Sequence, residues 1–195
     1  QAVRDPFPNW FNGYAPSDTR ILLGPMSHKM DVDGFLYYNI TRWVGEGNKF
    51  PMEDGILSNW DPLTFPTANG DGSLFYPGSD GPLASQRIHN FRDGMEDYNL
   101  MNKLDDYLNR AENVPEPLLE EAQKLLNADA IVKNESEYTK DVDLYRQWRE
   151  NVAEMIIILS PSKTVDAMLQ HVAYFDDKGA FENDRAVHAL KIHLT

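Results

Sequence analysis

The chain has 195 residues, 42% of them apolar, which is enough for one large domain and excludes a disordered chain. Eighteen basic residues against thirty-one acidic ones give a formal net charge of −13, which argues against nucleic acid and anionic membranes as partners. There is no cysteine for a disulfide framework or a thiolate metal site, and the longest apolar run, residues 155–159, is far too short to cross a bilayer.

Residues 1 to about 82 hold all but one of the Trp residues and most of the Pro and Gly. Ser17 or Asp18 is expected to cap a short helix that runs through Thr19-Arg20-Ile21-Leu22-Leu23 toward Met30, limited or kinked by Pro25. A turn over residues 31–34 then leads into Phe35-Leu36-Tyr37-Tyr38-Asn39-Ile40-Thr41, the best strand candidate in the sequence. Its start is apolar on both alternate faces, as in a strand buried within a parallel sheet. About forty residues, 42–82, follow as a loop with turn signals at Gly45-Glu46-Gly47, Asn69-Gly70-Asp71-Gly72 and Pro77-Gly78. Loops of that length are usually functional. Within it, residues 73–76 read as a short edge strand.

Helical periods dominate the rest. Ile88, Phe91, Met95, Tyr98, Met101, Leu104 and Leu108 recur at three- and four-residue steps and predict one apolar helix stripe. Pro115 and Pro117 open a second helix with Leu118, Leu119, Ala122, Leu125 and Leu126 on its buried face. A third is predicted over about 142–159, and two more over 163–177, stopped at Gly179, and 183–194. The chain starts without Met, and its final helix has no stop signal. It is therefore expected to be a piece of a longer polypeptide.

Four motifs, in order and spacing, resemble the end of glycoside hydrolase family 123 and the related proteins with domain of unknown function 4091. They are Gly34-Phe35-Leu36-Tyr37-Tyr38; Gly70-Asp71-Gly72-Ser73-Leu74-Phe75-Tyr76-Pro77-Gly78; Gly81-Pro82-Leu83; and the run from Arg87 through Arg92-Asp93-Gly94-Met95-Glu96-Asp97-Tyr98. The resemblance covers roughly residues 5–158. Asn183-Asp184-Arg185-Ala186-Val187-His188-Ala189-Leu190-Lys191 is similar instead to a small helical module appended to secreted enzymes of Gram-positive bacteria. The implied fold is an α/β fragment: the last strand and helices of a (β/α)8 TIM barrel, followed by an all-α C-terminal region. Residues 1–113 are then the C-terminal portion of the catalytic barrel, 114–159 its closing helices, and 160–195 the start of the appended module. On that expectation the Arg20 helix is the seventh barrel helix, residues 35–41 the eighth strand, and the Ile88 helix the closing one. Residues 42–82 become the eighth strand-to-helix loop, on the face where barrel enzymes place their active sites.

The resemblance implies a retaining β-N-acetylhexosaminidase of the N-acetylgalactosaminidase type, secreted and bacterial. In such enzymes the substrate's own 2-acetamido oxygen attacks the anomeric carbon, an Asp orients that amide, and the neighbouring Glu acts as acid and then base. That Asp–Glu pair belongs to an earlier strand and is expected upstream of Gln1, so no catalytic residue, metal or cofactor is assigned within the chain. Glu96-Asp97 is read as helix-surface or buried structural pairing, and Glu53-Asp54 as solvated loop charge. What the chain is expected to supply is a substrate-binding surface, packed against the remainder of its own polypeptide.

Sugars offer apolar faces to aromatic rings and hydroxyls to polar groups. Tyr38, Asn39 and Trp43, at the strand end, are therefore the first candidates to contact a glycan carrying N-acetylhexosamine. Trp60, Asp71 and Tyr76 come next, and Trp10, Phe11 and Tyr14 are further candidates. The structural alternative has Phe35 and Tyr37 filling the barrel while Trp43 pins the loop. A calcium loop around Asn69-Gly70-Asp71-Gly72 fits poorly, because Thr67 and Gly78 stand where Asp and Glu are needed. The five His residues lack convergent zinc spacing, and His28 and His89 read as packed or surface side chains. Two other functions stay open: a non-catalytic glycan-binding relative, and a helical interaction or scaffold module suggested by the helix-rich second half and the acidic charge.

Overall fold

The computed structural model describes residues 4–43, 52–53, 56–57, 68–112 and 114–160. Among them the chain is mixed α/β and helix-rich. Helix α1 (Pro16–Ile21) begins after Ala15, with Pro16 in the first turn, where a missing N–H leaves no bond unmade. The expected cap by Ser17 or Asp18 is not formed. Both residues are buried inside the first turn, and the Asp18 carboxylate instead accepts from Lys140 Nζ at 3.2 Å. The helix continues through a π turn, Leu22–Met26, into α2 (Ser27–Lys29). Pro25 is the physical cause of the widening: it has no N–H to donate and its ring crowds the preceding turn, and the wider turn absorbs it without ending the helix. Ser27 Oγ donates to the Leu22 carbonyl at 2.7 Å across the π turn.

The long helix α3 (Gln86–Asn109) crosses α1 and the π turn at two glycines. A Cβ on Gly94 would stand 2.9 Å from Leu23 Cβ and 3.1 Å from Arg20 Cα, and one on Gly24 would stand 3.0 Å from Asp97 Cβ. The buried seam of α3 is accordingly Phe91, Gly94, Asp97, Met101 and Leu104, while Met95 is 60% exposed. The predicted stripe was drawn through apolar residues alone, and here the tightest contact is made by a glycine and a carboxylate. Asp97 lies at the centre of the crossing. It accepts from Arg20 Nε (3.3 Å) and Nη2 (3.0 Å), from the Tyr145 hydroxyl and from Arg149 Nε.

Helix α4 (Glu116–Asn127) buries Leu118, Ala122, Leu125 and Leu126 of the predicted face, whereas Leu119 is only half-buried and Glu121, which was not predicted, is buried with them. It ends at Ala128, which takes a left-handed conformation (φ 51°). Helix α5 (Val142–Leu159) is capped by Asp141, whose Oδ1 accepts from the Asp143 and Leu144 amides at 2.9 and 3.1 Å. Trp148, Val152 and Met155 of α5 share one core with Ile21, Met26, Met101, Leu104 and the buried face of α4. Lys29 ties the far end of α2 to this core: its Nζ donates to the carbonyls of Asn127 (3.0 Å) and Val132 (2.7 Å) and pairs with Asp129. A cation placed there complements the negative end of α4.

The strand content is small. Strands β1 (Met52–Glu53) and β2 (Ile56–Leu57) pair antiparallel, as do β3 (Phe75–Tyr76) and β4 (Leu83–Ala84). The edge strand expected over 73–76 is thus β3, preceded by a bridge from Ser73 to Thr41. Residues 35–41 correct the sequence reading. They form no strand: Tyr38 and Ile40 stand in bends, and only the end of the run is tied to a neighbour, where the Ile40 carbonyl accepts from the Leu74 and Phe75 amides and Thr41 bridges Ser73. Nor is the segment buried on both faces. Phe35 and Tyr37 pack on Phe91 and Trp10, whereas Leu36 is 91% exposed, with Tyr38 and Ile40 beside it on the open side. Such an unpaired, apolar edge invites self-association. The 195-residue chain is expected to associate in light scattering at micromolar concentration, and Leu36→Lys to reduce that without moving the unfolding midpoint. A wild-type chain that stays monomeric would remove the hazard from this edge.

No helix among the described residues is long and apolar enough to cross a membrane. The expected helices over 163–177 and 183–194, and with them nearly all of the appended module, lie outside the described residues.

Candidate functional site

Three segments distant in sequence meet around one phenol. Residues 8–12 bring Trp10 and Phe11, residues 35–41 bring Tyr37 and Tyr38, and the turn at 69–73 brings Asp71. The Tyr37 hydroxyl donates to Asp71 Oδ1 at 2.7 Å and accepts from Trp10 Nε1 at 3.0 Å and from the Gly72 amide. Burial pushes the Tyr37 pKa up; the donors from Gly72 and Trp10 oppose this and Asp71 adds to it, so the phenol stays protonated and continues to donate. The turn owes its shape to Gly70 (φ 90°) and Gly72 (φ 77°), a backbone region that side chains resist. Space reinforces the choice at Gly72, where a Cβ would fall 2.6 Å from the Tyr38 hydroxyl. The aromatic rings meet edge to face: Trp10 lies 5.0 Å from Tyr37, 5.1 Å from Phe91 and 5.6 Å from Phe35.

Beside this cluster opens a cavity of about 600 Å³, lined by Trp10, Phe11, Tyr38 and Asp71 on one side and by Leu22, Met26 and Met30 of the α1–α2 segment on the other. Glu135 also reaches it, so both of its charged lining groups are carboxylates. Its size suits a small organic ligand such as a sugar ring or two. A second cavity, about 350 Å³, lies between α3 and residues 32–35 and is lined by Leu23, Val32, Phe35, Met95 and Tyr98. Among the described residues no cluster of three His, Asp or Glu side chains is placed to hold a metal ion.

The sequence matches the glycoside hydrolase 123 catalytic domain over residues 1–104, more than half of the chain. The chain belongs to the glycoside hydrolase 123 family. No curated protein matches it. Membership sets the substrate class as glycans.

In this family 123 chain the structure brings together four of the residues singled out by sequence. Tyr38, Asp71, Trp10 and Phe11 line the larger cavity. Asn39, Trp43 and Tyr76 stand away from it. Asn39 Oδ1 accepts from the Thr41 amide at 2.8 Å, Trp43 Nε1 donates to the Phe75 carbonyl at 2.8 Å, and Tyr76 lies against Arg87. Tyr14 is edge-on to Phe11 outside the lining. Trp60 and Asp54 lie outside the described residues. Glu96 is on the exposed face of α3, 3.6 Å from Arg92, and Asp97 serves the helix crossing, so neither faces the cavity. His28 is half-buried beside Tyr98, with burial pulling its pKa down against Asp105 and Asp31. The central part of Tyr37 was not foreseen. Only its partner turn, Gly70-Asp71-Gly72, was visible in the sequence.

Proposed function

We propose that the chain supplies one wall of the substrate cavity of a retaining, substrate-assisted β-N-acetylhexosaminidase, in which Tyr38 and Trp10 meet the sugar face and Asp71 takes its hydroxyl hydrogens. Family membership carries this reading, and the cavity where aromatic rings and one anchored carboxylate converge supports it. A (β/α)8 barrel is part of this proposal, with residues 35–41, between helix α1–α2 and helix α3, standing where its eighth strand would lie. No adjacent Asp–Glu among the described residues reaches the cavity. On this reading the pair that orients the acetamido group and moves the proton comes from another part of the polypeptide.

The test is hydrolysis of aryl N-acetyl-β-galactosaminide and N-acetyl-β-glucosaminide by the complete polypeptide. Turnover supports the reading, whereas binding without turnover favours a non-catalytic glycan-binding relative. Asp71→Asn removes the charge from a hydrogen bond to substrate and should lower kcat/KM by about 10- to 100-fold, in keeping with about 1.5–3 kcal/mol for bonds to charged groups. Unchanged kinetics would take Asp71 out of the site.

A further inference from the structure

We infer that Arg87 is a positioning residue that sets the geometry of Asp71 from outside the cavity; this rests on the glycan-binding reading above. Arg87 leaves the first turn of α3 and does not line the cavity. Its guanidinium instead joins three segments. Nη1 donates to Asn12 Oδ1 at 2.6 Å and to the Tyr76 hydroxyl at 3.2 Å, Nη2 donates to the Ser73 carbonyl, and the group sits 5.4 Å above the Tyr76 ring centroid. The Asn12 amide in turn donates to the Asn69 carbonyl at 2.8 Å. The turn is therefore gripped at both ends, at Asn69 through Asn12 and at Ser73 directly, with Asp71 midway between.

The fit against the turn is close. A Cβ on Gly70 would stand 3.1 Å from Arg87 Cζ and 2.9 Å from Asn12 Oδ1. From Asp71 the chain of hydrogen bonds runs on to Tyr37 and Trp10, so a displaced guanidinium shifts a wall of the cavity. Stability alone does not explain the arrangement. Arg87 Nε and Asn69 Oδ1 are both buried without a partner. Unpaired buried polar atoms oppose folding, and they persist where the shape itself is used. Lysine would keep the charge but not the planar fork that reaches Asn12, Tyr76 and Ser73 at once.

The experiment uses the complete polypeptide, titrated with N-acetylgalactosamine and N-acetylglucosamine, together with the Trp10 indole N–H resonance assigned through Trp10→Phe. Arg87→Lys should leave the unfolding midpoint near wild type, displace the Trp10 resonance, and weaken sugar binding about tenfold, the order expected when a contact group is misplaced. In an Asp71→Asn background the same substitution should add less than about twofold, because its effect passes through Asp71. Fully additive losses would overturn the inference, and so would an unmoved resonance with unchanged affinity. If the wild type binds neither sugar, the glycan reading fails, and the resonance alone then decides whether Arg87 sets the Tyr37–Asp71 geometry. Should Arg87→Lys not fold, Asn12→Ala releases the turn from its other end and must displace the same resonance; no displacement overturns the inference.

Discussion

Asp97→Asn should lower the stability of the fold by about 3 kcal/mol, the lower end of what removing one partner of a buried ion pair costs. The carboxylate is 1% exposed and receives Arg20, Arg149 and Tyr145 from two other helices. Arg20 and Arg149 retain some contact with solvent, which places the expected loss at the lower end. Burial pulls the Arg20 pKa down, yet Asp97, with Tyr145 and Asp93, carries it above its ordinary value, so the cation is held by its partners. Asparagine fills the same volume but has no charge, and it turns an N–H donor toward guanidinium groups that need acceptors. A folded domain has only about 5–15 kcal/mol in total, so the change should be plain as a lower urea midpoint at unchanged m. The control lies one residue away. Glu96→Gln removes an exposed i,i+4 contact to Arg92 and should leave the urea midpoint near wild type. Equal midpoints for the two variants would mean that Asp97 does not hold the helices together.

Gly94→Val should destabilise to a similar degree by a different route. The first carbon of any side chain would already overlap Leu23 and the backbone of Arg20. Helices α1 and α3 must then separate, and overpacking of this kind costs about 1–3 kcal/mol before any other loss. Separation also draws Arg20 away from Asp97, so the two effects share a cause. The double variant with Asp97→Asn should therefore lose less than the sum of the singles, as residues in one network do. Strict additivity in thermal or urea unfolding would separate the crossing from the ion pair. Alanine at Gly94 is milder, because about 1 kcal/mol of helix propensity offsets part of the strain.

These two positions also mark where reading the sequence stopped. The start of helix α4 and the span of α5 were legible, because Pro117 in the first turn and the apolar spacing are local properties of the chain; the Asp141 cap of α5 was not read in advance. The docking of α3 was legible only in part: Asp97 was read as helix-surface or buried structural pairing, but periodicity finds apolar residues and gave no sign that Gly94 makes the crossing. Pro25 announced a disturbance, but whether a helix kinks or widens depends on what surrounds it. The run at 35–41 was read as a strand, and only Thr41 of it pairs, since pairing is decided by a neighbour. In the candidate site, Gly70-Asp71-Gly72 was visible as a turn. Tyr37, 34 residues away, carried no mark of its bond to Asp71. Trp43 was ranked high for its position and is occupied with the Phe75 carbonyl.

Leu22, Met26 and Met30, the opposite wall of the larger cavity, stand on or directly after a helical segment clamped at both extremities. Arg20 is fastened to Asp97 toward one end, and Lys29 at the other is fastened to the last carbonyl of α4, Asn127, and to that of Val132. A guest entering there meets a surface already in its final place. Little of the attraction is then spent on ordering the host, which leaves selectivity to the outline of the guest.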